Sequence, residues 1–599
     1  VQYAYDDLQR LHSVVGPEGT NTYSYEGAGT VWRALQLGNG ALVSRQYDTL
    51  MRLTNMVNDS ASGVLSSFAI TVDDADQRTQ VIREDGTRYD YYYDAIGQLT
   101  NAAATLADDT PWRAYRFGYQ YDAAGNPVEQ DKNGLVFSNS FNHLNQNVAT
   151  VPGGSLAVMG RVNYAGGTVA VNSVHAQLSP DLIFAATGIP FALGTNALYT
   201  GFTDPFGRST NRETSVVVTQ KAYQYDANGN LTNDGRMAYF WNDENRLVAV
   251  RDAKTGALIQ ENRYDGLGRR RERIQPAGSG GVDPGSTNRY LYQDWLVLAV
   301  ADGAGNLLET YTHGADLSGQ IGGGAGGIGG ILASTQSGVS AYYYYDFNGN
   351  IVQVSGSNQA QMAKYIYNPF GDVLLKEGAF PSRYQFSTKE YDTCTGLNYY
   401  GFRFYSSHIG RWLCRDIICE TGGVNLYRSM ENSPVNIYDG LGLITYNDAV
   451  LHWWQGNGIS YGISFDEADP NASASDFPEF NQMVQESCDA LGDQDVDTTH
   501  TFDLGSGHPI GRHNYRLVGT ITYIEEGCDW KFSGRISSTS GIDTFDFNPS
   551  WFDGVDNNRG FWAEMSTWGG ASIGWLIDAE DFDFVIFGDK EITDEGSCD

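Results

Sequence analysis

Long apolar runs, zinc-binding cysteine pairs and several familiar catalytic motifs are absent from this sequence. No stretch approaches the roughly 20 continuous apolar residues that a membrane-spanning helix requires, so no transmembrane segment is expected. None of the six cysteines forms a CxxC pair, which argues against a structural zinc site. Residues 444–599 also lack a P-loop, a convincing nucleophile elbow, an HxxxH on an evident helix and a Cys–His–Asp set. These absences argue against several common enzyme classes.

Basic residues are scarce, and their scarcity is uneven along the chain. The sequence holds 38 Lys and Arg against 72 Asp and Glu, a net charge of −34. Residues 444–599 hold 6 basic and 29 acidic side chains, a balance of −23, whereas residues 1–443 have a balance of −11. This change predicts a domain boundary near residue 443. Because an acidic surface repels phosphate backbones, no nucleic-acid partner is expected, whereas divalent cations or a basic protein would be accommodated.

Tyrosine and glycine are abundant, with 38 and 71 residues, and this composition favours strands and tight turns. A chain of 599 residues is too long for one core, so at least two domains are expected. Val1 falls part-way through a repeat, which indicates a piece of a longer protein. The even number of cysteines is compatible with disulfides in an oxidising compartment, and also with six buried free thiols.

One phrase, aromatic–x–Tyr–Asp–x–x–Gly–Asn, recurs along the first 400 residues or so. Alternating aromatic residues predict a strand with one buried face, and Asp–x–x–Gly–Asn predicts a turn followed by a short return strand. The repeated Asp residues are expected to bind turn amides rather than to catalyse a reaction. Stacked hairpins would then form a continuous sheet. Clear copies begin at Tyr91, Tyr119, Tyr223, Asn262 and Tyr343.

Two segments interrupt the repeats. Residues 150–220 lose the Tyr-Asp phrase but keep β-branched alternation, which predicts an inserted β module or a plug. Residues 314–331, "GADLSGQIGGGAGGIGGI", consist largely of Gly, Ala and Ile. A free linker would be richer in serine and charge, so this segment is expected to pack closely against other backbone.

The repeats resemble the Rhs/YD-repeat family, which includes bacterial Rhs toxins, C components of insecticidal toxin complexes, and teneurins. The resemblance implies a β-sheet ribbon that spirals into a hollow shell, or cage, around the chain's own C-terminal portion. The expected fold is therefore mainly β: an antiparallel YD-repeat shell over residues 1–390, a terminating motif over 391–443, and a small α+β domain over 444–599.

The stretch "TGLNYYGFRFYSSHIGRWLCRDIICETGGVNLYRSMENSPVNIYDGLGL" is similar to the motif that ends the repeats in this family. In toxin members that motif is an intramolecular aspartic protease that cuts after its final Leu. By position, the resemblance implies two catalytic aspartates, Asp416 and Asp439, an assisting Arg403, and a scissile bond between Leu443 and Ile444. Two adjacent carboxylates cannot both stay ionised, so such a pair can divide acid and base roles around a water.

An alternative interpretation is that Asp416 and Asp439 are ordinary turn residues of a purely structural closure. The proline that usually follows each aspartate in the family is replaced here by Ile417 and Gly440. Losing the fixed φ of proline would leave both turns less rigid and could misplace the carboxylates.

The C-terminal 156 residues share none of the repeat pattern. Candidate strands are "YRLVGTITYI", "WKFSGRISS" and "DFVIFGD", and "FPEFNQMVQESCDAL" is a candidate amphipathic helix. In the family, this position usually holds a variable toxin. Three histidines lie within "HTFDLGSGHPIGRHNYR", and His508 and His513 are candidate general bases or metal neighbours. Each could equally be a structural histidine.

The segment "GIDTFDFNPSWFDGVDNNRG" is similar to the catalytic segment of colicin M-like bacteriocins, phosphodiesterases that cleave the peptidoglycan precursor lipid II. The residues that match are Asp543, Asp546, Asn548 and Arg559, with Phe545 for a tyrosine and Asn558 in place of the histidine. That last departure puts the general base in doubt. Clustered carboxylates beside an arginine suit Mg²⁺ or Ca²⁺ and phosphoryl chemistry, and equally suit a solvated acidic loop.

Two hypotheses about function follow. The first is a secreted polymorphic toxin whose self-cleaving cage, which needs no cofactor, stores an effector; an immunity protein and a delivery system would be its partners. The second is a cell-surface structural or adhesive protein with a non-enzymatic, calcium-binding C-terminal domain.

Overall fold

The structure is a computed structural model that describes residues 1–29, 31–162, 165–278 and 285–443, together with the backbone of seven strands in the remainder. The chain divides into two compact units, Val1–Ile444 and Thr445–Asp599. In the described residues, no helix is long and apolar enough to cross a membrane. Secondary structure in these residues is almost entirely antiparallel β, which confirms the prediction of a mainly β fold.

The first long sheet places consecutive strands side by side, as stacked hairpins require. Its strands are β1 (Gln2–Tyr5), β2 (Leu11–Gly16), β3 (Gly19–Tyr25), β4 (Trp32–Gln36), β5 (Leu42–Tyr47), β6 (Leu53–Ser60), β7 (Gly63–Val72), β8 (Arg78–Arg83), β9 (Arg88–Tyr93), β10 (Leu99–Thr105), β11 (Pro111–Tyr121), β12 (Pro127–Lys132), β13 (Leu135–Phe141) and β14 (Asn147–Gly154).

The atypical segment forms two small antiparallel sheets around a buried cluster of its own, which includes Val171, Ala186 and Ile189. It keeps one repeat-like turn, because Asp204 accepts hydrogen bonds from the amides of Phe206 and Arg208. Its strands are β15 (Leu156–Arg161), β16 (Thr168–Val171), β17 (Val174–His175), β18 (Gln177–Leu178), β19 (Ile183–Ile189), β20 (Gly194–Thr203) and β21 (Ser209–Val218).

The chain then adds β22 (Lys221–Ala222) to β14 and begins a second long sheet of 14 strands, again in sequence order. Its strands are β23 (Gln224–Tyr225), β24 (Leu231–Asn233), β25 (Met237–Trp241), β26 (Leu247–Asp252), β27 (Leu258–Tyr264), β28 (Arg270–Gln275), β29 (Ser286–Gln293), β30 (Leu296–Ala301), β31 (Leu307–His313), β32 (Ile331–Gln336), β33 (Val339–Tyr345), β34 (Ile351–Gly356), β35 (Gln361–Tyr367) and β36 (Val373–Glu377).

The terminating motif follows as a four-stranded sheet and three 3₁₀ segments. The strands are β37 (Glu390–Asp392), β38 (Leu397–Tyr399), β39 (Phe404–Ser406) and β40 (Arg411–Trp412), and the 3₁₀ segments are Phe386–Thr388, Cys419–Gly422 and Met430–Asn432. One continuous buried cluster contains side chains from both long sheets and from this motif, for example Phe117, Tyr343 and Tyr405.

The second unit contains two further sheets. Their strands are β41 (Tyr461–Ser464), β42 (Gln494–Asp503), β43 (Arg512–Tyr523), β44 (Asp529–Ser538), β45 (Asp543–Phe545), β46 (Phe582–Phe587) and β47 (Asp589–Ser597). Strands β43, β44 and β46 confirm the three strand predictions made for this part of the chain. The candidate helix lies outside the described residues.

Each repeated aspartate closes its own turn, as predicted. Oδ1 of Asp94 accepts hydrogen bonds from the amides of Ile96 and Gln98 at 3.1 and 2.9 Å, and its Oδ2 accepts one from the Gln98 side chain at 2.8 Å. Gly97 has a φ of +82°, where a side chain would be strained. The same pair of amide contacts recurs at Asp6, Asp48, Asp73, Asp122, Asp265, Asp302 and Asp346.

A tyrosine directly before several of these aspartates joins neighbouring hairpins, a role that the sequence analysis missed. The hydroxyl of Tyr121 donates a hydrogen bond to the carbonyl of Leu99, which begins the return strand of the preceding turn, at 2.8 Å. Equivalent bonds run from Tyr93 to Arg78 and from Tyr264 to Leu247. Each of these Tyr-Asp pairs thus closes one turn and fixes the preceding hairpin.

Removing one such hydroxyl should weaken the sheet measurably. Tyr121→Phe leaves the buried Leu99 carbonyl without this donor, so we expect the free energy of unfolding to fall by about 1–2 kcal/mol. A urea midpoint measured by tyrosine fluorescence would detect the change. The matched control is Tyr92→Phe, since Tyr92 is 59% exposed and should alter stability little. Equal midpoints for the two variants would contradict the role assigned to Tyr121.

The terminating motif holds successive turns of the first sheet together. The guanidinium of Arg411 donates to Oδ1 of Asn126 at 3.0 Å and to the carbonyl of Asn145 at 2.7 Å. The side-chain amide of Asn432 donates to Oε1 of Gln98 at 2.8 Å. The motif therefore bridges three consecutive repeat turns of the first sheet.

Candidate active site

The structure brings together the three residues that the terminating motif singles out. Nη2 of Arg403 lies 2.7 Å from Oδ2 of Asp416 and 3.5 Å from Oδ2 of Asp439. Arg403 lies in the turn between β38 and β39, and Asp416 follows β40. All three side chains are at most 5% exposed. Two carboxylates therefore share one cation in a buried site.

Arg403 is held in place by the backbone on either side of the site. Its Nε donates to the carbonyl of Gly442, and its Nη1 donates to the carbonyl of Leu426 at 3.4 Å. The guanidinium also lies over the ring of Trp412, 4.3 Å from the ring centroid. This arginine thus contacts both carboxylates and the residue just before Leu443.

Asp439 closes a turn in the same way as the repeat aspartates, but with three amides. Its Oδ1 accepts hydrogen bonds from Leu441, Gly442 and Leu443 at 3.2, 2.6 and 2.9 Å. Its Oδ2 accepts no hydrogen bond within the described part of the chain and faces Arg403. One oxygen therefore fixes the backbone before the predicted scissile bond, and the other is available for chemistry.

Burial and mutual repulsion favour a proton on this pair. Burial raises the pKa of Asp416 to about 6, with the Asp439 charge adding to the rise and Arg403 opposing it. Burial also raises the pKa of Asp439, against the influence of Arg403 and the amides of Gly442 and Leu443. One carboxyl of the pair can hence hold a proton near neutral pH while the other is ionised.

Three successive carbonyls before the predicted cut accept hydrogen bonds. The carbonyl of Gly440 accepts from Nζ of Lys389 at 2.5 Å, that of Leu441 from the amide of Phe402 at 3.1 Å, and that of Gly442 from Arg403. Leu443 is 4% exposed. Ile444, on the other side of the bond, lies outside the described residues.

The missing prolines are compensated by local contacts. At Asp416, the amide of Ile418 donates to Oδ1 at 3.1 Å, which closes that turn. At Asp439, the hydrogen bonds from the amides of Leu441, Gly442 and Leu443 hold the turn in place, as the fixed φ of a proline would. A Cβ on Gly440 would lie 3.0–3.1 Å from backbone atoms of residues 324–326, so the Gly-rich segment packs directly on this turn, as expected of it.

Lys389 is the site residue that the sequence analysis missed. Its ammonium joins Gly440 to Gly326, whose carbonyl is 2.9 Å away, across 51 and 63 positions of sequence. A single lysine in "STKEYD" carries no signal for contacts at that separation. The nearest available hint was that residues 322–330 are all glycine except Ala325 and Ile328, which indicates that backbone approaches closely there.

The effector candidates are described only in part. His513 lies on β43, opposite Phe502 of β42, and Asp543 begins β45, opposite Phe584 of β46. His508, Asp546, Asn548 and Arg559 lie outside the described residues.

Cys414 and Cys419 carry free thiols, and burial raises the pKa of Cys414 to about 12. Cys488, Cys528 and Cys598 lie outside the described residues. In the part of the chain that the structure describes, no group of three or more His, Cys, Asp and Glu side chains is arranged to hold a metal ion.

No family model matches the chain, but curated relatives do. The tRNA3(Ser)-specific nuclease WapA of Bacillus spizizenii is 30% identical over 226 residues, 36% of this chain and 9% of the relative. The toxin subunit YenC1 of Yersinia entomophaga is 35% identical over 108 residues, 17% of this chain and 11% of the relative. The chain thus spans only about a tenth of the length of these relatives.

Solved structures give weaker matches. The match to a crystal structure of TcdB2–TccC3–Cdc42 covers 73% of this chain and 22% of the matched chain. The two are 18% identical, with a TM-score of 0.34. The match to syringacin M from Pseudomonas syringae covers 24% of this chain and 48% of the matched chain. The two are 24% identical, with a TM-score of 0.15. The Tyr-Asp hairpins, the terminating motif and the curated relatives confirm the resemblance to Rhs/YD-repeat toxins.

Proposed function

We propose that this chain is part of an Rhs-type polymorphic toxin that holds its C-terminal effector in a β-shell and releases it by cutting itself after Leu443. The observation that carries the proposal is the position of the aspartate pair. Asp416 and Asp439 share Arg403 at 2.7 and 3.5 Å, and Asp439 binds the amide of Leu443 at 2.9 Å.

In the proposed reaction, ionised Asp439 takes a proton from water through Oδ2 while the water oxygen attacks the carbonyl carbon of Leu443. Asp416 donates its proton to the nitrogen of Ile444 as the C–N bond breaks. The products are a carboxyl group on Leu443 and an amino group on Ile444. Arg403 balances the single negative charge that the two carboxyls share throughout.

Intact-mass analysis of the purified full chain tests the cut itself. We expect two polypeptides whose masses place the break between Leu443 and Ile444, even if both fragments remain associated. A single mass that corresponds to the uncut chain would rule out the protease and leave the terminating motif with a purely structural role.

The proposal extends to the setting of the chain. Its similarity to toxin-complex subunits supports secretion or surface display and a toxin-complex assembly as partner. The enclosed residues 444–599 would be a second partner, and an immunity protein and a delivery system would complete the set. The cage itself needs no cofactor in this reaction.

For the effector, the favoured activity is a lipid II phosphodiesterase, supported by the residue pattern at Asp543, Asp546, Asn548 and Arg559. Mg²⁺ or Ca²⁺ would supply charge stabilisation of the phosphoryl group. A nuclease is the second candidate, because WapA is named as a tRNA nuclease. The acidic balance of −23 in residues 444–599 argues against it, and the prediction that no nucleic acid is bound stands as a prediction.

The two effector activities predict toxicity in different compartments. Residues 444–599 expressed in the periplasm of a susceptible bacterium should stop growth by lysis if lipid II is the target, and Asp546→Asn should restore growth. Expression in the cytoplasm should then be harmless. Cytoplasmic toxicity with tRNA cleavage would favour the nuclease instead. Growth in both compartments would favour the surface structural or adhesive role.

A further inference from the structure

Lys389 connects the Gly-rich segment to the turn before the predicted cut. It follows the 3₁₀ segment Phe386–Thr388 and is 6% exposed. Its Nζ donates to the carbonyls of Gly326 and Gly440 at 2.9 and 2.5 Å, and it lies 5.6 Å from the ring centroid of Tyr400. A buried ammonium with two carbonyl acceptors is held firmly in one position.

The charges around Lys389 distinguish the two aspartates. Asp439 interacts with two cations, Arg403 and Lys389, whereas Asp416 interacts with Arg403 and with the Asp439 charge. Burial lowers the pKa of Lys389 to about 8, with Asp439 and Asp316 opposing that fall. The remaining titratable groups that face the pair are Tyr400 and Cys414.

We propose that Lys389 is a positioning residue of the self-cleavage reaction, whose ammonium anchors the carbonyl of Gly440 and keeps Asp439, rather than Asp416, in the ionised state. This inference rests on the proposed function. The anchor holds the main chain three residues before the cut, and the charge fixes which carboxyl accepts the proton of the water. Without the charge, Asp439 would ionise only at higher pH.

A pulse–chase experiment on the full chain separates the two roles. The chain of 599 residues is made by cell-free translation, moved into buffers between pH 4 and 9, and followed on denaturing gels. Lys389→Gln keeps a donor for Gly440 but removes the charge. We therefore expect cleavage to be at least about tenfold slower at pH 6. The rising limb of the plot of cleavage rate against pH should move by about one pH unit towards alkaline pH. Lys389→Arg keeps the charge and should retain the wild-type pH profile.

The matched control is Lys132→Gln. Lys132 is a half-buried lysine whose ammonium lies 3.1 Å from Asp372, but it lies away from the aspartate pair and should leave the rate and the pH profile unchanged. A purely structural role for Lys389 would change the yield of folded protein without displacing the pH profile. Protease resistance of residues 1–443 reports that yield.

Each outcome supports or overturns the role proposed for Lys389. If Lys389→Gln cleaves with the wild-type rate and pH profile while Asp439→Asn blocks cleavage, the inference is overturned and the proposed function stands. If Lys389→Gln yields no folded product, Lys389→Arg decides: an unchanged profile supports the inference, and a profile displaced to alkaline pH overturns it. A wild-type chain that never cleaves overturns both proposals.

Discussion

Asp439→Asn is expected to leave the full chain as one band on a denaturing gel where the wild type gives two. Asparagine keeps a side-chain oxygen that can accept the amides of Leu441, Gly442 and Leu443, so the turn should survive. It cannot take a proton from water at Oδ2. We expect the cleavage rate constant to fall by at least about 1000-fold.

The control for this experiment is Asp302→Asn, which changes an aspartate with the same local role. Oδ1 of Asp302 accepts hydrogen bonds from the amides of Ala304 and Asn306 at 2.9 and 2.8 Å, far in sequence from the aspartate pair. This variant should cleave like the wild type. Asp416→Asn should behave like Asp439→Asn, because both carboxyls are required for the proposed proton transfers. Cleavage of Asp439→Asn at the wild-type rate would refute its catalytic role.

The repeated strand-and-turn pattern of residues 1–443 was predictable because the contacts within each hairpin are local. An aspartate such as Asp94 bonds amides two and four positions ahead, and alternating aromatics define the buried face of each strand. The hydroxyl bond from Tyr121 to Leu99 was missed, since its partner lies 22 positions upstream in another hairpin. Periodicity reports which face is buried and says nothing about which carbonyl a hydroxyl reaches.

The candidate site was predictable only through resemblance. No spacing rule places Asp416, Asp439 and Arg403 around one point, because the turns between β38 and the end of the motif determine where they meet. Lys389 could not be found either, since its acceptors lie 51 and 63 positions away. The loss of proline after each aspartate suggested misplaced carboxylates, but amide hydrogen bonds to both side chains hold the turns instead.

Glu390 is the centre of a buried ion network beside the candidate site, and its removal should cause the largest loss of stability in the first unit. Its carboxylate lies 2.5 Å from Arg270, 2.9 Å from Arg273 and 3.1 Å from Arg383, and accepts a hydrogen bond from Tyr290 at 2.8 Å. Glu390→Gln would leave buried guanidinium groups with too little negative charge. We expect the free energy of unfolding to fall by about 3–5 kcal/mol.

The matched control is Glu261→Gln, which breaks an ion pair with Arg263 of similar length, 2.9 Å, but with side chains that are 37% and 61% exposed. An exposed pair contributes about 0–1 kcal/mol, so this variant should unfold at nearly the wild-type urea concentration. If both substitutions moved the urea midpoint equally, burial of the network would not be the source of its stability.

The stability difference between wild type and Glu390→Gln should also depend on pH in a defined direction. Burial alone would raise the pKa of Glu390, but Arg270, Arg273 and Arg383 outweigh it and hold the pKa at about 2. Because the pKa is lower in the folded state than the ordinary glutamate value of 4.5, the stabilising contribution is fully present above pH 4.5 and is lost as pH falls towards 2. Urea midpoints at pH 6, 4 and 3 should therefore converge for the two proteins, and a constant difference over this range would contradict a charge-based origin.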